Sequence, residues 1–253
     1  LNYVEYGKEN KYDDDIFFQK YSQMSRSQQG LAGAGEWETL RKLLPDFKDK
    51  RVLDLGCGYG WHCIYAMEHG ASSVVGVDIS HKMLEVAKEK THFPQVEYKC
   101  CAIEDVEFPE ESFDVILSSL AFHYVADYEI LVKKIYRILK SGGKLVFTVE
   151  HPVFTAYGTQ DWYYNEKGEI LHFPVDNYYY EGKRTAVFLG EKVTKFHRTL
   201  TTYLNTLLSN GFIINHIVEP QPPEYMMDIP GMQDEMRRPM MLIVSANKNC
   251  YTT

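Results

Sequence analysis

Short apolar and β-branched runs alternate along much of the chain with longer amphipathic segments. Runs of this length and composition are typical of buried strands. They are RVLDL (51–55), VVGVD (74–78), VEYKC (96–100), FDVILSS (113–119), KLVFTV (144–149), FIINHIV (212–218) and MMLIVSA (240–246). The first five are far enough apart to admit a helix or a crossover between them, so they predict βαβ units and a mostly parallel sheet.

The helices predicted around these strands have recognisable ends. We expect Asp127 to cap a helix that Gly142 and Gly143 terminate, and Ser80 to cap a helix over 81–90. A helix before the first strand ends at Pro45, and one late in the chain ends at Gly211. The apolar positions of the helix that Asp127 caps are Leu131, Ile135 and Ile138. Those of the helix before the first strand are Trp37, Leu40 and Leu44, and those of the late helix are Leu200, Tyr203, Leu204, Leu207 and Leu208.

Composition and charge narrow the function classes. The chain of 253 residues has a formal net charge of -8, which does not favour a protein that wraps nucleic acid or lies on an anionic membrane. Its N-terminal sequence lacks the pattern of a signal peptide, and it has no apolar stretch of membrane-spanning length. The five cysteines are odd in number and form no CxxC pair, so we expect reduced thiols, no metal site and a soluble cytoplasmic protein.

The stretch VLDLGCGYG (52–60) places three glycines directly after the first predicted strand. In an open α/β sheet this position borders the ligand, and glycine lets the backbone turn tightly beside it. A dinucleotide fingerprint would need its third glycine at position 61, where Trp61 stands. A P-loop would need Lys and Ser or Thr after the last glycine, and Trp61 and His62 follow instead. The remaining interpretation is another nucleotide-like cofactor whose ribose hydroxyls bind Asp78, at the end of the second strand.

Three segments together resemble the cofactor-binding core of class I S-adenosylmethionine (SAM)-dependent methyltransferases, of the small-molecule type called methyltransferase type 11. They are VLDLGCGYG, VVGVDIS and FDVILSSLAFHYV. The flanking YSQMSRSQQGLAGAGEWETL, EHPVF and KFHRTL also resemble bacterial members. The resemblance implies a doubly wound, Rossmann-like sheet of seven mostly parallel strands with the last antiparallel. It also implies SAM as cofactor and S-adenosylhomocysteine as product.

The resemblance further implies a division of the chain into four parts. Residues 1–35 would cover the cofactor, and residues 36–150 would form the SAM-binding core. Residues 151–198, which include most of an aromatic-rich stretch, would be a lid or acceptor-binding insertion. Residues 199–253 would complete the sheet.

The resemblance also implies roles for individual residues around SAM. Asp54 would orient the glycine loop or reach the methionine ammonium through water, Asp78 would bind the ribose, and Arg26 would bind the methionine carboxylate. The other expected cofactor contacts are Tyr21, Gly56, Cys57, Gly58, Gly60, Ile79, Ala102, Ile103, Glu104, Ser118, Ser119 and Leu120. An Asp often follows the third strand in this family, but here Cys101 precedes AIED, so either Glu104 or Asp105 could bind the adenine amino group.

Methyl transfer from a sulfonium is an in-line displacement that needs neither a metal nor a covalent intermediate. Positioning of the acceptor supplies most of the rate, and a base helps only when the acceptor is protonated. Candidate bases near the predicted strand ends or the late helix are His123, Glu150, His151 and His197. A turn is the better interpretation of QPPEY (221–225), because the nucleobase-methylating signature that it resembles belongs after the fourth strand.

The function that these features favour is a SAM-dependent methyltransferase acting on a small-molecule acceptor, at O, N or C. Nucleic-acid and membrane partners are not expected, and the oligomeric state stays open. An RNA or protein methyltransferase and a non-catalytic SAM-binding protein remain alternatives, since both would share the core motifs. A nicotinamide oxidoreductase is disfavoured by the position of Trp61.

Overall fold

The apolar runs form one mixed sheet in the computed structural model, which describes residues 8–250. In chain order the strands are β1 (Arg51–Leu55), β2 (Ser73–Asp78), β3 (Val96–Cys100), β4 (Phe113–Ser119), β5 (Leu139–Glu150), β6 (Tyr163–Tyr164), β7 (Ile170–His172), β8 (Gly182–Phe188), β9 (Glu191–His197), β10 (Phe212–Val218) and β11 (Met241–Lys248). The central sheet has the order β10-β11-β5-β4-β1-β2-β3, and β11 is antiparallel to both of its neighbours. The expected Rossmann-like sheet of seven strands is therefore confirmed.

Eight helices lie in the part of the chain that the structure describes. They are α1 (Asp15–Ser22), α2 (Ser25–Gln28), α3 (Trp37–Leu40), α4 (Trp61–Glu68), α5 (His81–Lys90), α6 (Tyr128–Ile138), α7 (Pro152–Thr155) and α8 (Leu200–Ser209). Short 3₁₀ turns include Lys11–Asp13, Ile103–Asp105 and Phe122–Tyr124. The start of the predicted segment 1–35 and the end of 199–253 lie outside the described residues.

Both predicted N-caps are confirmed, but two predicted helix ends are wrong. The Ser80 hydroxyl accepts from the Met83 N–H at 3.1 Å, and the Asp127 carboxylate accepts from the Ile130 N–H at 2.9 Å. Helix α6 ends at Ile138, before Gly142 and Gly143, because the next residue is already extended and begins β5. The helix before β1 covers only Trp37–Leu40 and does not reach Pro45.

Successive strand residues point to opposite faces of the sheet, and each face is covered by different helices. On one face Leu53, Ile116 and Phe147 pack with residues of α6 and α8. On the other face Val52 and Val115 pack with residues of α3, α4 and α5. Because both faces are covered, the carboxyl ends of the strands remain as the open edge for a site.

Two chain segments meet over this edge. The carboxylate of Asp13 accepts from the Ser80 hydroxyl at 2.6 Å and from the Lys82 N–H at 3.2 Å, which ties the N-terminal segment to the start of α5. Phe17 of α1 packs against Ala186 and Val193 of hairpin β8–β9. The N-terminal segment and the insertion therefore close together over the ends of the strands.

Removal of the Asp127 N-cap tests how much capping of α6 contributes to the stability of the fold. We expect Asp127→Ala to lower the free energy of unfolding by about 1 kcal/mol, because the Ile130 N–H loses its acceptor. Asp127→Asn is the matched control, since its amide oxygen keeps that bond, and urea unfolding measures both. Equal losses in the two variants would contradict the capping role.

Candidate functional site

A large cavity lies at the carboxyl ends of the parallel strands, where ligands of open α/β sheets bind. It contains about 1160 Å³ of empty space, its open mouth included. The predicted site residues that line it are Tyr21, Arg26, Gly56, Gly58, Asp78, Ile79, Ala102, Ile103, Glu104, Ser119, Leu120, His123 and Glu150.

The glycine loop after β1 depends on glycine for reasons that differ along its length. All three glycines have positive φ, at +77° for Gly56, +52° for Gly58 and +76° for Gly60. A Cβ on Gly56 would lie 2.4 Å from the Ala121 side chain, and one on Gly60 would lie 2.1 Å from the Tyr98 hydroxyl. Gly56 and Gly60 are thus required by protein packing as well as by backbone conformation, and Gly60 does not line the cavity.

Asp78 connects this loop to helix α5. Its Oδ2 accepts from the Gly58 N–H at 2.8 Å, and its Oδ1 accepts from the Ser80 N–H at 2.9 Å. Burial raises the pKa of Asp78, although these amide hydrogen bonds oppose the rise. The two amides hold the carboxylate in a defined orientation at the cavity wall, as recognition of a pair of ribose hydroxyls requires.

The wall next to Asp78 is mainly apolar and suits an adenine ring. Ile79 follows β2, and Ala102 and Ile103 begin the turn after β3. Of the two carboxylates that the sequence left open there, Glu104 lines the cavity, whereas Asp105 forms an ion pair with Lys8.

A second cavity of about 580 Å³ continues on the other side of the glycine loop. Arg26, Tyr21 and Ser119 line both cavities, and Cys57 lines the second. The Arg26 guanidinium contacts both carboxylate oxygens of Glu36, at 3.0 and 3.1 Å, and Glu36 is 3% exposed. Sequence reasoning missed Glu36, which orients the cation expected to bind the methionine carboxylate.

Leu120 lies at the cavity wall in a conformation that few non-glycine residues adopt. Its φ is +53°, and it follows directly after β4. Its N–H donates to the carbonyl of Thr148 at 2.9 Å and to the Thr148 hydroxyl at 3.0 Å. These bonds hold the strained backbone so that the side chain of Leu120 lines the cavity.

The remaining part of the cavity is aromatic and rests on a buried ionic network. Oε1 of Glu150 contacts the Lys195 ammonium at 2.6 Å, and Gln160 bonds to both groups at 2.5 and 2.8 Å. Burial opposes ionisation of Glu150, but its neighbours His123, Lys195 and Gln160 lower its pKa. The carboxylate is therefore already engaged, and sequence reasoning missed both Lys195 and Gln160.

The structure brings one of the three candidate histidines to the cavity wall. His123 lines the cavity, and burial lowers its pKa to about 4. His151 instead pairs with Glu219 at 2.7 Å and accepts from the Val153 N–H. His197 bonds to the Thr155 hydroxyl at 2.7 Å and to a backbone carbonyl at 2.8 Å. Both ring nitrogens of His151 and of His197 are thus bonded to protein groups, and neither histidine lines the cavity.

Comparison with known proteins identifies the family. Residues 53–147 match the family described as a methyltransferase domain. A Listeria monocytogenes structure named as a SAM-dependent methyltransferase is 58% identical, covers 87% of this chain and 99% of its own, and has a TM-score of 0.83. One from Mesorhizobium loti is 40% identical, with 87% and 100% covered and a TM-score of 0.80. The chain belongs to the SAM-dependent methyltransferases.

The similarity of this methyltransferase to other proteins extends beyond the matched domain. An uncharacterized protein of Haemophilus influenzae is 34% identical over 250 residues, which are 94% of this chain and 96% of that protein. The flanks of the core are therefore shared as well. Between residues 8 and 250 the methyltransferase has no helix with the length and apolar character needed to cross a bilayer.

Asp54 provides a test of whether the site fits SAM. Its side chain is 1% exposed, its Oδ2 accepts from the Cys63 thiol at 3.5 Å, and its Oδ1 has no hydrogen-bond partner in residues 8–250. Burial raises the pKa of Asp54 to about 7. Asp54 is absent from the lining of both cavities, so a contact with the methionine ammonium would have to run through a water at this unpaired oxygen. Ser118 is also buried, and its hydroxyl donates to the Leu55 carbonyl at 2.7 Å.

Loss of the Asp78 carboxylate is expected to weaken S-adenosylhomocysteine binding by about 10- to 100-fold, since a hydrogen bond to a charged group contributes about 1.5–3 kcal/mol. Calorimetric titration of Asp78→Ala measures the change. Asp114→Ala is the matched control, because that carboxylate accepts a backbone N–H at 2.9 Å at the opposite edge of the sheet. Unchanged affinity in Asp78→Ala would contradict the ribose role.

The pKa of Asp54 predicts a pH-dependent stability of the cofactor-free methyltransferase. The pKa is about 7 in the folded chain, against an ordinary value of 3.8 for an aspartate side chain. The folded state therefore binds this proton more tightly, and its stability falls as the pH rises from about 4 to about 7. Relative to Asp54→Asn, the wild type should lose about 3 kcal/mol between pH 5 and pH 8 in urea unfolding. A stability difference that does not change with pH would exclude a protonated Asp54.

Proposed function

We propose that this methyltransferase methylates a small molecule with apolar or aromatic surface, at an oxygen, nitrogen or carbon atom. The observation that carries the proposal is the composition of the cavity wall beyond the cofactor contacts. It includes two tyrosines, a phenylalanine and two methionines, namely Tyr12, Tyr124, Phe188, Met240 and Met241. Such a wall favours an acceptor that buries apolar surface.

The charges around this cavity support a small acceptor over a nucleic acid. Arg26 is paired with Glu36, Lys8 with Asp105, and Lys195 with Glu150. A nucleic-acid acceptor would be favoured by cations available to phosphates along the mouth. Lys8 and Lys195 are engaged by carboxylates of the chain itself, and Arg26, held by Glu36, is assigned to the cofactor, which supports an acceptor that enters the cavity whole.

The chain's own contribution to the reaction is positioning and exclusion of water. When bound, SAM would supply its methyl carbon to an attacking atom of the acceptor in line with the carbon–sulfur bond, which would break as S-adenosylhomocysteine leaves. Holding that atom in the productive geometry can lower the activation free energy by roughly 7–11 kcal/mol. The N-terminal segment, through Tyr12 and Tyr21, and the hairpin β8–β9, through Phe188, cover the reacting region and would exclude water from it.

The division of the chain into working parts is included in this proposal. The described part of residues 1–35 would act as the cofactor cover, and residues 151–198 would act as a lid that shapes the acceptor site. Support comes from Phe188, which is the insertion's own residue at the cavity wall. A reducing, cytoplasmic setting is also proposed, and it is supported by free thiols at all five cysteines.

A methyl-transfer screen tests the proposal. The chain is incubated with methyl-labelled SAM and with three acceptor classes: a panel of phenols, carboxylic acids and amines, total tRNA, and a protein extract. We expect label in members of the small-molecule panel. Label only in RNA or protein, or binding of SAM without transfer to any class, would contradict the proposed acceptor.

Phe188→Ala tests whether the insertion binds that acceptor. We expect the KM for the acceptor to rise about 10- to 100-fold, because burial of a phenylalanine contributes roughly 1.5–3 kcal/mol. The affinity for S-adenosylhomocysteine should not change. Tyr179→Ala, in the same insertion but 87% exposed, is the control and should leave both quantities unchanged. Equal effects of the two substitutions would contradict the role of Phe188.

A further inference from the structure

Strand β5 extends beyond its neighbour β4 at the edge that carries the cavity. The pairing of the two strands ends at Ser119 and Thr148, and the Leu120 N–H donates to the Thr148 carbonyl at 2.9 Å. Glu150 is two residues further along β5, so its N–H points to the same side. The Glu150 N–H donates instead to the imidazole Nδ1 of His123, at 3.4 Å.

This contact determines which nitrogen of His123 carries a proton. The His123 side chain is 1% exposed and Glu150 is 9% exposed, so the N–H between them requires a protein acceptor. An imidazole nitrogen accepts a hydrogen bond only when it carries no proton. Nδ1 is therefore unprotonated, and in the neutral ring the proton is on Nε2.

The surroundings of His123 favour the neutral ring. Lys195 on β9 and Arg198 just after it place positive charge near the imidazole, and the carboxylate of Glu150 is already paired with Lys195. Burial and these cations lower the pKa of His123, against the opposing effect of Glu150. Arg198 is itself held by the carbonyls of Val125 and Ala126, so its charge is fixed in place.

The second ring nitrogen of His123, Nε2, is available to a molecule bound in the cavity. Within residues 8–250 the hydrogen bond of His123 is made by Nδ1, and no partner of Nε2 is present. The ring lines the cavity next to Tyr124, with their centroids 4.5 Å apart. With Nδ1 engaged by the Glu150 N–H, Nε2 is the ring nitrogen that can donate to a molecule in the cavity that His123 lines.

We propose that His123 donates a hydrogen bond from Nε2 to the methyl acceptor and is not the base that takes its proton. It follows that the acceptor presents a hydrogen-bond-accepting oxygen, as a carbonyl, carboxylate or phenolate does. A ring whose Nδ1 is bonded to an amide N–H and whose Nε2 is protonated has no lone pair to offer. The substrate part of this inference rests on the proposed function, whereas the protonation state of the ring does not.

The protonation state is measured directly by nuclear magnetic resonance. The full chain, labelled with ¹⁵N in histidine and saturated with S-adenosylhomocysteine, is examined by two-bond proton–nitrogen correlation between pH 5.5 and 8. The His123 signals are assigned by their loss in His123→Gln. We expect an unprotonated Nδ1 and a protonated Nε2 throughout this range. A protonated Nδ1 would overturn the proposal even if methyl transfer is observed.

The role in the reaction is tested by two substitutions with an acceptor that the screen identifies. Gln can both accept from the Glu150 N–H and donate into the cavity, but it is not a base. We expect His123→Gln to retain kcat/KM within about tenfold, and His123→Phe to lose about 100-fold, the effect of removing one oriented donor. Both variants should bind S-adenosylhomocysteine like the wild type, which controls for folding.

His172→Gln, on the exposed strand β7, is the matched control and should leave kcat/KM unchanged. Equal losses in His123→Gln and His123→Phe, with cofactor binding intact, would show that His123 is needed as a base and would overturn the proposal. A panel in which only acceptors without an accepting oxygen are methylated would overturn its substrate part. Absence of any methyl transfer would refute the proposed function, and the resonance experiment would still decide the protonation state.

Discussion

The pair of backbone amides that hold Asp78 is the constraint on which the rest of the site depends. One amide belongs to Gly58 in the loop after β1, and the other belongs to Ser80 at the start of α5. The same helix start is bound from outside by Asp13. One carboxylate thus joins two βα units of the sheet, and a second ties the N-terminal segment to them. The floor and the cover of the cofactor region are therefore fixed by carboxylates that accept from backbone amides of the glycine loop and of the start of α5.

The buried pair of Glu150 and Lys195 has a different character. A buried ion pair contributes little net stability compared with apolar residues of the same volume, because desolvation offsets the attraction. Breaking it leaves an unpaired charge, so the pair constrains which arrangement is stable. With Gln160 it fixes the insertion to the end of β5, and the backbone of Glu150 orients His123. The proposed acceptor end is thereby built on the rigid sheet rather than on a loop alone.

The sequence was sufficient for the sheet and for much of the cavity lining, because these depend on local patterns. Short apolar and β-branched runs located the strands, and Ser80 and Asp127 marked helix starts by chemistry that acts over three residues. The end of α6 was missed because a buried strand begins immediately after it, a tertiary preference that outweighs the glycines. No local pattern signals that Gly60 packs against Tyr98, which is brought there by the sheet.

The acceptor end could be predicted least, because its contacts join distant parts of the chain. Lys195 meets Glu150 across 45 positions and gives no sign of this in its neighbours along the sequence. His151 and His197 were candidates beside His123 by sequence position, and the partners of their ring nitrogens separate the three. Glu36 was missed for the same reason, since its pairing with Arg26 depends on the fold of a segment without regular periodicity.

The backbone conformation of Leu120 indicates that stability alone does not determine the residue at this position. A left-handed conformation at a non-glycine residue costs of order 1 kcal/mol, and Gly or Asn at this position would relieve most of it. Neither would preserve the apolar surface that Leu120 presents to the cavity. A chain optimised for thermostability alone would not keep leucine here, so the position marks a compromise between stability and use of the cavity. Efforts to stabilise the protein by consensus or design should therefore leave residue 120 unchanged.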